Sequence, residues 1–171
     1  MVKADSPSGP SAETPVAARG KTPSQLKLDN QLCFAVYAAH NAFTAAYKPL
    51  LGPLGLTYPQ YLVMMRLWEQ DDLSVGDLGA PLHLDSGTLT PLLKRLQAAG
   101  LVTRTRDEKD ERVTRIRLTE TGWALRDKAS RIPLQILSQL GLKPQEIFTT
   151  RDEVRGLSTR LRAANAPDTD Q

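Results

Sequence analysis

From Leu26 onward, apolar residues recur every three or four positions. Leu28, Leu32, Val36, Ala39 and Phe43 fall on one stripe, which predicts a helix with a buried face from about residue 26 to about Tyr47, capped by Asp29. Pro49, Gly52, Pro53 and Gly55 then interrupt the pattern and predict a short or bent second helix. TYPQYLVMMRLWEQ, residues 57–70, predicts a third, with Thr57 as cap, Pro59 in the first turn and Leu62, Met65 and Leu67 as its apolar face. In SVGDL a serine precedes Asp77 by three positions, a carboxylate variant of the capping box that opens a short helix over 74–83. HLDSGTLTPLLKRLQAAG predicts the next helix, capped by Asp85 or Ser86, buried through Leu89, Leu92, Leu93 and Leu96, bent near its start by Pro91 and stopped at Gly100.

The period then changes. LVTRTR (101–106) and RVTRIRL (112–118) are β-rich segments joined by the polar DEKDE, the pattern of a two-stranded hairpin. Thr119 caps a long helix that Pro133 kinks, and a final helix covers about 145–164. Residues 1–25 hold four prolines and no aromatic residue, so a disordered tail is expected there, and 165–171 form a polar end. Two short helices followed at once by a polar-tipped hairpin make a winged helix-turn-helix within 57–118, in a mainly α fold with a small β-hairpin.

Composition narrows the function classes. The single cysteine excludes an internal disulfide and an intrachain cysteine metal cluster, and no apolar run reaches the length of a membrane span or resembles a signal peptide, so the reducing cytoplasm is the expected compartment. No paired acid and base, GxSxG elbow or phosphate-cradling glycine loop is present, and His40 and His83 are far apart in sequence, so neither an enzyme nor a metal site is expected. The excess of 22 basic over 19 acidic residues is small, but its distribution is uneven. Lys94, Arg95, Arg104, Arg106, Lys109, Arg112, Arg115 and Arg117 face only Asp107, Glu108, Asp110 and Glu111, a local charge of +4 on a chain whose net charge is +3. Just before it, Ser86, Thr88 and Thr90 offer small hydrogen-bonding side chains at the start of the second helix of the motif, suited to base edges.

A second group of residues stands apart from that patch. Tyr37, Tyr47, Tyr58 and Tyr61, all four tyrosines, follow Cys33 closely. With Asp29 as cap, Cys33 falls near the fourth helical position, where the helix dipole favours a thiolate and Asp29 opposes it. Tyr37 lies one turn beyond Cys33 on the same face, whereas Tyr47 and Tyr58 reach a cysteine only through tertiary or intersubunit folding. The alternative is plain packing: a lone cysteine as a small hydrophobe and tyrosines with a wet tip.

LDNQLCFAVYAAHNAF, LGLTYPQYLVMMRLWE, LHLDSGTLTPLLKRLQAAGLVTRTR and DERVTRIRLTETG resemble the MarR family of winged-helix repressors, over about residues 26–164. The Asp-x-Arg of the hairpin is general to that family, while LDNQLCF and TYPQYLVM are similar to its organic-hydroperoxide-sensing branch, OhrR. The resemblance implies a homodimer whose N- and C-terminal helices, 26–56 and 119–164, form a dimerisation domain, with two wings on a pseudo-palindromic operator in double-stranded DNA. It makes Cys33 the peroxide-reactive thiolate, hydrogen-bonded by Tyr47 and Tyr58 of the partner subunit with Tyr37 nearby. It places Arg112 in the minor groove, oriented by Asp110, and Ser86, Thr88, Thr90 and Lys94 or Arg95 at the major groove and its phosphates. No second cysteine follows the wing, so the implied inducer, an organic hydroperoxide, is followed by a mixed disulfide with a small-molecule thiol, and no cofactor is implied. The competing reading keeps the fold and has a non-covalent aromatic ligand release the DNA, with Cys33 structural.

Overall fold

Helix starts in this chain are set largely by side chains that satisfy the free N–H groups of the first turn. The structure, a computed structural model, describes residues 23–166. The expected tail therefore lies outside the described residues up to 22, as does the polar end from 167. Contacts divide the chain at His40 into two units.

In the first unit, 3-10 turns over Ser24–Leu26 and Leu28–Asn30 precede α1, which covers Leu32–Leu51. Asp29 lies inside the second turn and caps nothing, because Gln31 is extended (φ −94°, ψ 114°) and its carbonyl accepts the Ala35 N–H at 3.2 Å. The helix therefore begins later than the periodicity predicts, and Cys33 is its second residue. The stripe expected to be buried is also open: Leu28, Leu32, Val36 and Phe43 are all exposed.

In the second unit α1 runs through Pro49 to the buried Leu51, and a 3-10 turn over Gly52–Leu54 replaces the expected second helix. α2, Tyr58–Glu69, starts where Gln60 Oε1 accepts both the N–H and the hydroxyl of Thr57, each at 2.9 Å. Its buried face is Tyr61, Val63, Met64 and Leu67; Leu62 and Met65, expected inside, are only half-buried. β1, the pair Leu73–Ser74, leads into α3, Val75–Leu82, where Ser74 Oγ accepts the Asp77 N–H at 3.0 Å as the sequence predicts. α4, Ser86–Ala98, is capped by Asp85 and ends before Gly100 at φ +70°. β2, Val102–Arg106, and β3, Thr114–Leu118, form the hairpin, and β1 adds to its far edge to give the antiparallel order β1-β3-β2.

α5, Glu120–Ala129, and α6, Ile132–Leu140, are separate helices, not one kinked helix. Ser130 and Arg131 keep right-handed backbone angles, but Pro133 at the second position of α6 has no N–H to carry the α5 ladder forward. α7, Pro144–Ala164, closes the described chain. One core joins α2 to α6: Val63, Met64, Leu67, Leu78, Leu89, Leu93, Leu96 and Ile116 are all 0 % exposed. α7 buries no residue, and its Phe148, Val154 and Leu161 are exposed. Among the described residues no helix is long and apolar enough to cross a membrane.

Candidate nucleic-acid interface and thiol site

α3 and α4 are joined by a turn too tight for a side chain at Gly79, where a Cβ would sit 2.6 Å from the Leu84 carbonyl oxygen. His83 completes the turn in the left-handed region at φ +56°. α4 then presents its first turn outward on one rigid cap: Asp85 accepts the Thr88 N–H at 2.7 Å and its hydroxyl at 3.2 Å. Thr90 donates its hydroxyl to the Ser86 carbonyl at 2.6 Å. Both threonines thus spend their protons within the helix and offer lone pairs and methyl groups outward, leaving Ser86 as the hydroxyl whose proton can be given away. Lys94 and Arg95 are exposed, while Leu89, Leu93 and Leu96 fix the opposite face in the core.

At the hairpin tip Asp107 accepts the Lys109 N–H at 2.8 Å and the Asp110 N–H at 3.3 Å, which closes the loop. Asp110 in turn holds Arg112 three times, through its backbone N–H at 3.0 Å, Nε at 3.1 Å and Nη2 at 3.2 Å. Arg112 projects from the wing, with a side chain 91 % exposed, and the Arg112 guanidinium keeps the Asp110 carboxyl below its usual range. The register separates the remaining arginines. Arg104 pairs with Ile116 and shares its inward face, where Arg104 Nε has no hydrogen-bond partner; Arg106 is exposed and 4.0 Å from Glu111. Arg104 thus lies against the core side of the hairpin, whereas Arg106 is open to solvent near its tip.

The charge count also missed a partner. Asp72, just before β1 and in the left-handed region at φ +55°, accepts Arg115 Nε at 2.9 Å and lies 3.0 Å from Arg117 Nε. Arg115 further donates to the Asp72 carbonyl and lies 3.7 Å from Asp107. The hydrogen bonds from Arg115 and then Arg117 hold the Asp72 carboxyl down to about 2. Two of the eight bases in the patch are thus bridged by one acid outside the counted span, which offsets one of their two positive charges. Asp71 adds a bond of its own, accepting the Leu118 N–H at 2.9 Å.

Cys33, an exposed free thiol, and Tyr37, exposed one turn later, belong to the first unit. The second unit gathers the other three tyrosines into one cluster: the Tyr47 ring lies 4.6 Å from Tyr58 and 5.9 Å from Tyr61, and Tyr61 meets Trp68 edge-on at 6.2 Å. Sequence spacing put Tyr47 and Tyr58 together as candidates but left Tyr61 out. Burial, reinforced by the neighbouring Tyr58 and Tyr61 hydroxyls, pushes Tyr47 up to about 12 from its usual 10, and burial also raises Tyr58. Both are hydrogen-bond donors throughout the physiological range. A raised pKa stabilises the fold fully below 10 and loses that contribution as pH rises from 10 to about 12. An ultraviolet titration is expected to show a tyrosine that ionises near 12, removed by Tyr47→Phe; its persistence in that variant contradicts the assignment.

A cap-fixed helix behind a tight turn, followed by a hairpin with a clamped arginine at its tip, defines the winged helix-turn-helix class. The family model described as transcriptional regulator SarA/Rot matches residues 45–129. The chain is 51% identical to the HTH-type transcriptional regulator TtmR of Methylorubrum extorquens, over 81% of this chain and 76% of that one. It is 54% identical to the organic hydroperoxide resistance transcriptional regulator of Bacillus subtilis, over 66% of this chain and 76% of the other. Reduced AbfR bound to DNA, a protein of Staphylococcus epidermidis, superposes with a TM-score of 0.71 at 32% identity, over 85% of this chain and all of that one. The chain belongs to the MarR family of transcriptional regulators.

Proposed function

We propose that the chain is a homodimeric DNA-binding repressor that senses organic hydroperoxides by oxidation of Cys33 and releases its operator, derepressing peroxide-detoxification genes in the cytoplasm. The observation that carries this reading is an exposed single thiol at the start of a helix whose apolar stripe is uncovered. In a monomer such a stripe would be solvated at a cost of roughly 25 cal/mol for each square ångström left in water, and a second copy removes it. The 54% identity to the Bacillus subtilis hydroperoxide regulator supports the same choice.

In this reading 26–56 and 119–164 supply the dimer helices and 57–118 the DNA-binding part. Tyr47 and Tyr58 of the partner subunit donate hydrogen bonds to the Cys33 thiolate, with Tyr37 beside it. The thiolate sulfur attacks the peroxide oxygen distal to the organic group and the O–O bond breaks. The organic half leaves as an alkoxide that takes up a proton, and the sulfur is left as sulfenic acid. A small thiol then displaces water from that sulfur to give a mixed disulfide, and a further thiol resets it by exchange. Without an added thiol each Cys33 consumes one peroxide and stays oxidised, so the protein then records the peroxide stoichiometrically. Either adduct changes the packing at the subunit interface. Because two wings must match one operator spacing, a modest rotation is enough to lose tight binding.

On the DNA, Arg112 enters the minor groove under the Asp110 clamp, and Ser86, Thr88, Thr90, Lys94 and Arg95 serve the major groove and its phosphates. Arg104 and Arg106 add charge near the phosphates. A gel shift on DNA flanking the gene tests the whole reading. The reduced protein is expected to bind in a salt-dependent way and to be released by cumene hydroperoxide, with one thiol lost per peroxide consumed. Binding unaffected by the peroxide, or peroxide consumption far above one per thiol, overturns it.

A further inference from the structure

The clamp on Arg115 and Arg117 stands outside the contacts assigned above, and its geometry is that of an arginine site already filled by an anion. Along β3 the side chains of Arg115 and Arg117 project from the face opposite the buried Ile116, on the side shared by their partners Thr105 and Thr103. There they line a polar groove of about 530 Å3 together with Arg106 and Lys109 and with the acids Asp72, Asp107 and Glu108. Four cations on one wing would form a strong phosphate-binding surface, but the Asp72 carboxylate bridges two of them at 2.9 and 3.0 Å.

The geometry points to Asp72 as a specificity-determining residue: its carboxylate takes the place of a DNA phosphate on Arg115 and Arg117 and so withholds both from sequence-independent binding. This rests on the DNA-binding reading above. Phosphate contacts carry no sequence information, so holding two arginines back lowers binding to all DNA while leaving Arg112 and the start of α4 to choose the site. Asp72 is not needed merely to anchor the strand. Asp71 already ties α2 to the Leu118 N–H at 2.9 Å, and β1 pairs with β3 through Leu73 and Ser74. Arg117 is also half open to solvent, with a side chain 51 % exposed, so a competing phosphate can reach it.

The test is the salt dependence of binding by the reduced protein to a short random-sequence duplex and to the DNA flanking its gene. Asp72→Asn keeps the shape and the tolerance for a left-handed backbone but surrenders Arg117, while Arg115 keeps the backbone carbonyl at position 72 and Asp107. The phosphate contact opened to Arg117 is expected to steepen the slope of log affinity against log salt by about 0.9, which is about a threefold greater loss of affinity between about 50 and 200 mM salt. Preference for the flanking DNA over the random duplex is expected to fall. Glu108→Gln removes the same charge from the same groove, where Glu108 acts on Arg117 through space and without a hydrogen bond, and is expected to change the slope by less than half as much. An unchanged slope in Asp72→Asn, an equal change in Glu108→Gln, or a general loss of binding without steepening overturns the proposal. Arg117→Gln gives a second, independent reading: it is expected to leave the slope where it was, and a shallower slope shows that Arg117 already meets phosphate. A wild type that binds neither duplex overturns the DNA-binding reading itself, and this one with it.

Discussion

Cys33→Ser is expected to bind the operator as the reduced wild type does and to stay bound when organic hydroperoxide is added. The exposed thiol is replaced by a hydroxyl of nearly the same size, which a peroxide does not oxidise. Coupling between a sensor and a binding site commonly amounts to about 5–150-fold in affinity, so the wild type should weaken within that range where the variant moves by less than about twofold. The measurement is a pair of gel-shift titrations with and without cumene hydroperoxide. The variant also separates the two forms of repressor that share this fold. If Cys33→Ser still leaves its operator on peroxide treatment, the thiol is not the sensor. If it responds instead to a small aromatic acid as the wild type does, a non-covalent ligand is the inducer and Cys33 is a packing residue.

The second large effect is structural. Gly122 is the third residue of α5, and a Cβ there would lie 2.1 Å from the Leu101 carbonyl oxygen and 3.1 Å from Leu118 Cδ2. The obstruction is mostly backbone and cannot swing aside. Three parts of the fold meet at this point. The Gly122 N–H is capped by Thr119 Oγ1 at 3.0 Å, its carbonyl accepts Trp68 Nε1 from α2 at 3.0 Å, and Leu101 opens the wing while accepting the Thr119 N–H at 3.1 Å. Gly122→Ala should therefore destabilise by about 3 kcal/mol or more, the upper part of the range for overpacking. For a chain of this size that lowers Tm by roughly 6–12 °C, read at one protein concentration because assembly shifts Tm as well. An unchanged melting curve would show that the α5 start can slide away from the wing.

Helix starts at Thr57, Ser74, Asp85 and Thr119 were legible because a cap acts over three residues and needs only local chain. Asp29 misled for the same reason: its residue type suits a cap, but the extended Gln31 next to the 3-10 turn moves the start to Leu32. β1 escaped because two residues cannot show alternation, and the partners of Asp72 lie 43 and 45 residues away, beyond any periodic signal. The apolar face of α2 was misplaced because Leu62 and Met65 are as apolar as Val63 and Met64, and only the packing of the other helices decides which pair turns inward. Of the candidate site, the wing tip and the α4 cap were readable in the sequence. The tyrosine cluster was readable in part: all four tyrosines stand out in the sequence, but nothing in their spacing sets Tyr61 against Tyr47.

A helix of 21 residues that buries none of them has a genetic meaning. In the proposed dimer Phe148, Val154 and Leu161 on α7 and the open stripe on α1 serve assembly and not the reading of DNA, so damage to the wing leaves the capacity to assemble intact. A copy with a ruined Arg112 still recruits a sound one into a dimer with a single working wing, and the pair cannot span an operator of two half-sites. Alleles that break the wing should thus be dominant over the wild type, whereas alleles that break α7 should be recessive, because an unpaired copy disables only itself.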